Sequence, residues 1–487
     1  FQAEDGIRDA QESRGLGDVY KRQEAGDESV KNRARAEMKR LLRLYPGNRI
    51  LREYVGEPVP WGEELVADTE RHPAWAAFLR EAYAREIAIV ERLCDMRQRS
   101  DGQFGGGYGD DVEMLRKVVP IAAISTCSEK VRAGIERLVE GVWANVCRDG
   151  YDKDVGDVEH SAENSADAFP TMLLVRYGDP RFYEFNLRSC KTIRDKFMGI
   201  DHRGYPRFKS GFFGWEGVAT HERAGGDTGY HARAMKHFLW LAWYDNPEAR
   251  DWYLRWVDGW RATAMLDAPD KPAGVLPGSL WYPSGSYQHP WTGRPWYLED
   301  PVHLYGAWGL PGMLHESFLA AYALSADEKF LRPVQRMLDW ATLGPLPRDA
   351  DHARTEAGTR DWFRMPMAHT ARANHTALYR YLTGERVYDE YTMRFGTPPQ
   401  LYQIDHNIER YMGDLEKAAK SLRNNLWYYT TETLSTDRLH LPAVESVWGA
   451  YTGAITTTGD CELQTFAVTY DTPTADFAAL VVGSTPK

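Results

Sequence analysis

Apolar residues recur at helical spacing through most of the chain. From Ala74 onward, Trp75, Phe78, Leu79, Ala82, Tyr83, Ile87, Val90 and Leu93 follow the i, i+3, i+4 rule, which predicts an amphipathic helix. Val131, Ile135, Leu138, Val142 and Val146 repeat the pattern, with a predicted stop at Gly150. Then "LLVRYGDPRFYEF", "LWLAWYDNPEARDWYL", "AYALSADEKFLRPV" and "ALYRYLTGERVYDEY" share one design. Each has an aromatic- or leucine-rich tail, a Gly, Asp, Asn or Ser turn, and an amphipathic start. Asp179-Pro180 and Asn246-Pro247 set a capping side chain before a proline at the first helical position. Short turns between long helices predict antiparallel hairpins. Several such hairpins bury their apolar faces best by closing into a ring. The expected fold is therefore mainly α, an (α/α) toroid forming a complete or incomplete barrel. Beyond about Leu426 the period becomes two. "LQTFAVTYD" and "DFAALVVGS" read as strands, the start of an antiparallel β domain.

These changes divide the chain into residues 24–425, a helical catalytic domain, and residues 426–487, part of a β domain that the sequence is expected to truncate. Phe1 to Gln23 resembles a translated sequencing adapter and is set aside as an artefact. A signal peptide is then not observable.

Composition narrows the function. The net charge of -11 argues against a dedicated nucleic-acid binder. No run is apolar enough to span a membrane. The five cysteines include no CxxC, so neither a disulfide framework nor a zinc site is expected. Aromatic residues make up 13% of the chain. Trp and Tyr combine an apolar face with a polar tip, which suits sugar rings; Trp215 and Tyr287 are the loop candidates for that role.

Chemistry should concentrate in the long loops of a rigid helical scaffold. "GGGYGDDVEM" runs from glycines into Asp110, Asp111 and Glu113. A phosphate loop needs Lys-Ser or Lys-Thr there, so that reading fails. The glycines either let the backbone approach a sugar whose hydroxyls Asp110 and Asp111 grip, or form a tight turn in which one acid caps the next helix. No cofactor is called for, although a structural calcium ion could sit among these acids. In "DVEHSAENSADAF", His160 and Asn164 share one helical face, and Glu159 and Glu163 a neighbouring one. "THERAGGDTGYHARAMKHF" offers His221 and Arg223, with Asp227 as a cap for the following helix and His237 as packing. "WFRMPMAHTARANHTALYRY" adds Arg364, His369, Arg372, Asn374 and His375, of which His369 and Arg372 suit an anionic substrate.

Two more segments carry a resemblance. "GSYQH" (Gly285 to His289) and "LYGAWG" (Leu304 to Gly309) lie in loops that also hold His303 and His315. With the helical-ring-then-sheet order they resemble the toroidal polysaccharide lyases of the hyaluronate, chondroitin, xanthan and heparinase-like type. That resemblance implies a β-sandwich after the ring and β-elimination on a uronate-containing polysaccharide. It also implies a periplasmic or extracellular location. In chain order Asn164, His289 and Tyr305 match the family's Asn, His and Tyr. Asn164 would neutralise the uronate carboxylate, His289 take the C5 proton and Tyr305 protonate the leaving oxygen. His221 is the rival base. "GGGYGDD" also resembles a stretch of the toroidal inverting cellulases, which makes glycoside hydrolysis the alternative. There Asp110, Asp111 or Glu113 would be the base and Glu159, Glu163 or Glu222 the acid. A non-catalytic carbohydrate-binding protein is the third reading.

Overall fold

A computed structural model describes residues 28–60, 67–124, 127–221, 224, 226–291, 293–298, 311–342, 355–363, 373–424, 436–439, 441–442 and three strands between 455 and 481. It is mainly helical. Two N-terminal helices, α1 (Glu28–Leu44) and α2 (Arg49–Tyr54), precede α3 (Ala74–Met96), which begins where the apolar period does. Next come α4 (Gly107–Ala122) and α5 (Glu129–Gly141). The helix after α5 widens through Val142–Val146 and gives way at Cys147, earlier than the predicted stop. Gly150 instead turns a small hairpin, β1 (Cys147–Arg148) to β2 (Tyr151–Asp152), at φ +80°.

The four repeated stretches are four helical hairpins. They are α6 (Val158–Val175) with α7 (Pro180–Thr192), and α8 (Lys236–Trp243) with α9 (Pro247–Ala264). The other two are α10 (Pro311–Ser325) with α11 (Leu331–Thr342), and α12 (Ala373–Thr383) with α13 (Asp389–Phe395). Each turn holds one residue in the left-handed region: Gly178, Asp245, Ala326 or Gly384. One such residue reverses the chain after a helix C-terminus. Asp179 and Asn246 then accept the Arg181 and Ala249 amides and start the second helix.

Successive hairpins touch: α7 packs on α8, α9 on α10 and α10 on α12. Helix α14 (Pro398–Asp405) leads into α15 (Ile408–Asn424), which lies along α3 and so returns the chain to its first long helix. A buried ion-pair chain fastens this contact: Glu81 accepts from Arg85 within α3 (2.9 Å) and from Arg423 of α15. One apolar cluster gathers α3–α5, α15 and parts of α6 and α7; a second gathers α8–α12.

Short two- and three-residue strands decorate the helical array. β4 (Met198–Ile200) pairs with β5 (Pro206–Phe208), and β6 (Phe212–Gly214) with β3 (Gly156–Asp157) and β7 (Gly217–Val218). β8 (Asp227–Thr228) pairs with β9 (Ser279–Leu280). The expected terminal strands are present as an antiparallel sheet of β10 (Ile455–Thr457), β11 (Thr465–Val468) and β12 (Ala478–Val481). Among the described residues no helix is long and apolar enough to cross a membrane. Cys94, Cys127, Cys147 and Cys190 are free and buried.

Candidate active site

The glycine loop is held from within. Helix α4 starts at Gly107, so both aspartates lie inside its first turns rather than before it. Asp111 is fully buried, and its carboxylate accepts the Phe104 amide (2.6 Å), the Gly106 amide (3.1 Å) and the Thr436 hydroxyl. Burial raises its pKa, and these donors oppose the rise. A side chain at Gly106 would collide with Thr436 and Asp111, which explains the glycine. Asp111 therefore organises the loop and does not face a sugar. Its oxygens already have donors in Phe104, Gly106 and Thr436. Asp110 stays partly exposed.

Next to this loop, α6 presents a row of acids. Glu159, Glu163 and Asp167 are four residues apart and fall on one helical stripe. The Gly229–Ala232 turn and the start of α8 face them with Tyr230, Arg233 and Lys236. Asp167 is the anchor. It is buried, and Arg233 (2.5 Å), Lys236 (2.7 Å) and Arg116 of α4 (3.2 Å) converge on it. Burial opposes its ionisation, yet Lys236, Arg233 and Arg116 outweigh that and hold the carboxyl well below the usual range. Arg233 also reaches Glu113 at 3.0 Å and Glu163 at 3.5 Å. Glu113 pairs with Arg116 as well.

Glu163 is the exception in this row. Arg233 stands from it at the outer limit of a hydrogen bond, and the other neighbours of Glu163 include Asp167 and Glu159. Burial, only partly offset by Arg233, pushes its carboxyl up to about 7. At neutral pH much of it carries a proton. Its Oε1 lies only 2.5 Å from where a Cβ at Gly109 would stand, so the glycine of "YGDD" makes room for this carboxyl. Glu159 accepts from Tyr230 (3.1 Å), whose hydroxyl burial pushes up to about 12. Tyr230 is thus a donor here and a poor base.

The other expected residues sit elsewhere. Asn164 donates to Asp152 (2.8 Å), and its own oxygen is buried without a partner. His160 is exposed and bonds the α6 cap Asp157 at 2.8 Å. Asp157, Glu159 and His160 bring one ligand atom each within 4.8 Å, fewer ligands than the six to eight oxygens calcium takes. His221 is exposed, its ring 6.0 Å from that of Phe212. Trp215 carries the Arg148 guanidinium and the Lys196 ammonium, each 3.5 Å from its ring centre, so cations already cover it where a sugar would stack. Tyr287 donates to Asp270 (2.9 Å). His289 packs edge-on against Trp281 and Trp291, and its Nδ1 accepts the Trp291 amide (3.3 Å). In that contact the Nδ1 lone pair is engaged. Tyr305, Arg223, Arg372 and His369 lie outside the described residues, as do Glu222, His303 and Arg364.

Asp227 departs from its expected role as a cap. It caps no helix but lies fully buried in β8, accepting from Trp256 (2.8 Å) and Arg207 (3.4 Å). Thr228 and His231 form the cap instead. His237 packs as expected: its Nδ1–H donates to Asn186 (2.8 Å). Sequence reasoning missed Asp167, Arg233, Arg116 and Lys236 as one cluster. The acid row at positions 159, 163 and 167, spaced to share one face of a helix, was the available signal.

No family model matches the chain, and comparison with curated proteins and with solved structures finds no match.

Proposed function

We propose that this chain is a carbohydrate-active enzyme that cleaves glycosidic bonds in an acidic polysaccharide, with Glu163 as the proton donor to the departing oxygen. The observation that carries the reading is a buried carboxyl pushed up to about 7 beside a glycine-rich loop. A general acid needs a proton at working pH and a path to substrate. The four hairpins, and the return of α15 onto α3, support an (α/α) toroid as the scaffold. A β-sandwich would follow it, beginning with the β10–β12 sheet.

Hydrolysis asks for a second carboxylate beside Glu163, and the neighbouring acids favour that reaction. Glu163 gives its proton to the glycosidic oxygen as the C1–O bond breaks. A second carboxylate, Asp110 or Glu159, removes a proton from the water that adds at C1. Elimination, which the lyase resemblance favours, uses Glu163 in the same way at O4 but needs a base for the C5 proton. His289, His221 and Tyr305 are the candidates for it. One observation still supports an anionic substrate. Arg116 and Lys236 are 47% and 37% exposed beside the buried Asp167, so a uronate carboxylate could meet their outer faces. A polysaccharide substrate goes with a periplasmic or extracellular location.

The test is incubation with a panel of acidic polysaccharides, following ultraviolet absorbance and new reducing ends together. Reducing ends without absorbance are expected for hydrolysis. Both signals together would transfer the reading to elimination, and neither signal on any substrate would remove the catalytic reading.

A further inference from the structure

A short stretch beyond the last helix of the array reaches back to the candidate site. Thr436–Arg438 forms one 3₁₀ turn packed on α4. The Thr436 hydroxyl donates to Asp111 across 325 positions of sequence, and the Lys117 ammonium donates to the Asp437 carbonyl. Leu439 and Leu441 then join the apolar cluster that holds α3–α5. Thr436 lies beyond residue 425, where the helical domain was expected to end, yet its partner is in α4. Thr436 is 1% exposed and Asp111 0%, so hydroxyl and carboxylate meet out of water, where a charge-assisted bond is strong.

We propose that Thr436 is a positioning residue for the reaction: its hydroxyl fixes Asp111, and through it the start of α4, where Glu163 needs it. The inference rests on the reading of Glu163 as the proton donor. Each link from Thr436 to that acid is a direct contact. Asp111 accepts the Phe104 and Gly106 amides and so sets the glycine loop. A Cβ at Gly106 would collide with the Thr436 hydroxyl, so the loop is shaped around this one group. The same first turns of α4 carry Gly109, which makes room for the Glu163 carboxyl. They also carry Glu113, which pairs with Arg233 at 3.0 Å, and Arg233 reaches Glu163 at 3.5 Å. A shift of about 1 Å in a reacting group can cost up to ~10²-fold in rate. A movement of the α4 start would therefore be felt at Glu163 although Thr436 touches no substrate.

The experiment makes Thr436→Val and Thr436→Ser in the full chain. Valine keeps the shape and removes the hydroxyl; serine keeps the hydroxyl and removes the methyl. Amide exchange is followed by mass spectrometry on peptides spanning residues 104–111, and reducing-end release gives kcat and KM. In Thr436→Val these amides should exchange at least ~tenfold faster, kcat should fall roughly tenfold, and KM should stay within about twofold. Thr436→Ser should keep wild-type exchange and kcat, which a role in packing alone would not predict. It also keeps the test sound if Thr436→Val folds poorly, since loss of either readout in Thr436→Ser would overturn the role of the hydroxyl. Wild-type exchange in Thr436→Val would overturn the pin, and faster exchange with unchanged kcat would overturn the positioning role. If the wild-type chain turned over no polysaccharide, the Glu163 reading would fall, and the exchange comparison would still decide whether Thr436 pins the loop.

Discussion

Two arginines in this molecule sit between acids, and they differ in one respect. Arg207 bridges Asp201 (3.2 Å) and Asp227 (3.4 Å), and all three side chains are 0% exposed. Arg233 bridges Asp167, Glu113 and Glu163, but its cluster reaches solvent through Arg116 and Lys236. In each cluster burial pushes one carboxyl, Asp227 or Glu163, up to about 7. A raised pKa therefore does not by itself mark a working site. The sealed cluster is a strut: Asp201 closes the β4–β5 turn by accepting the Arg203 and Tyr205 amides, and Asp227 holds Trp256 of α9. In the open cluster Glu163 lies beside Gly109 of α4, and its side chain keeps 10% exposure. Access, more than titration, separates the two.

The sharpest way to break this comparison is Glu163→Gln. If the open cluster is catalytic, turnover should fall by ~10²–10⁴-fold, the usual range for a general acid. Stability should hold, because glutamine keeps the shape and removes a carboxyl that burial disfavours. Initial rates of reducing-end release, beside a thermal melt, give both readouts. Unchanged turnover would return Glu163 to the structural class.

Arg207→Met tests the sealed cluster. It leaves Asp201 and Asp227 buried without their cation, and removal of one partner from a buried pair costs about 3–5 kcal/mol. Urea denaturation should show that loss. If the loss is below about 1 kcal/mol, the strut assignment is wrong.

pH should act on both clusters with the same sign. Glu163 and Asp227 hold their protons more tightly folded than unfolded, where they titrate near 4.5 and 3.8. Their contribution is therefore complete below those unfolded values. It is lost as pH rises toward and through about 7, at up to about 1.4 kcal/mol per pH unit for each group. Asp167 acts oppositely, being depressed: its contribution is present above its ordinary value near 3.8 and is lost as pH falls below it. Urea midpoints from pH 5 to 8 should decline, and Glu163→Gln should flatten part of the slope. Catalysis should fall over the same upper window, because the acid loses its proton.

Local signals in the sequence carried the helical hairpins well. Asp179-Pro180 and Asn246-Pro247 are caps that work within three residues of themselves, so spacing alone reveals them. The strands near Phe466 and Leu480 follow from alternation in the same way. The candidate site was less legible because its bonds are long-range. Arg233 meets Asp167 from 66 positions away and Glu113 from 120. Asp227 looked like a cap because it precedes a helix; its actual partner Arg207 lies 20 positions back on another strand. Trp215 looked like a sugar platform because nothing local announces Arg148 and Lys196 at its ring.

The mildest change is the most discriminating about geometry. Gly109→Ala adds a Cβ whose nearest atom is Glu163 Oε1, at 2.5 Å. That oxygen ends a flexible side chain, so the carboxyl can swing aside without unfolding the helix. Gly109 lies inside α4 and has no left-handed φ, so alanine suits its backbone and should stabilise the helix by up to about 1 kcal/mol. The displaced acid is then off its line to the glycosidic oxygen, and turnover should drop roughly tenfold while the melting temperature holds or rises. Activity and stability would move in opposite directions. A strut would lose stability when its carboxyl is displaced, whereas a working acid loses rate, and this one substitution reads out which of the two Glu163 is.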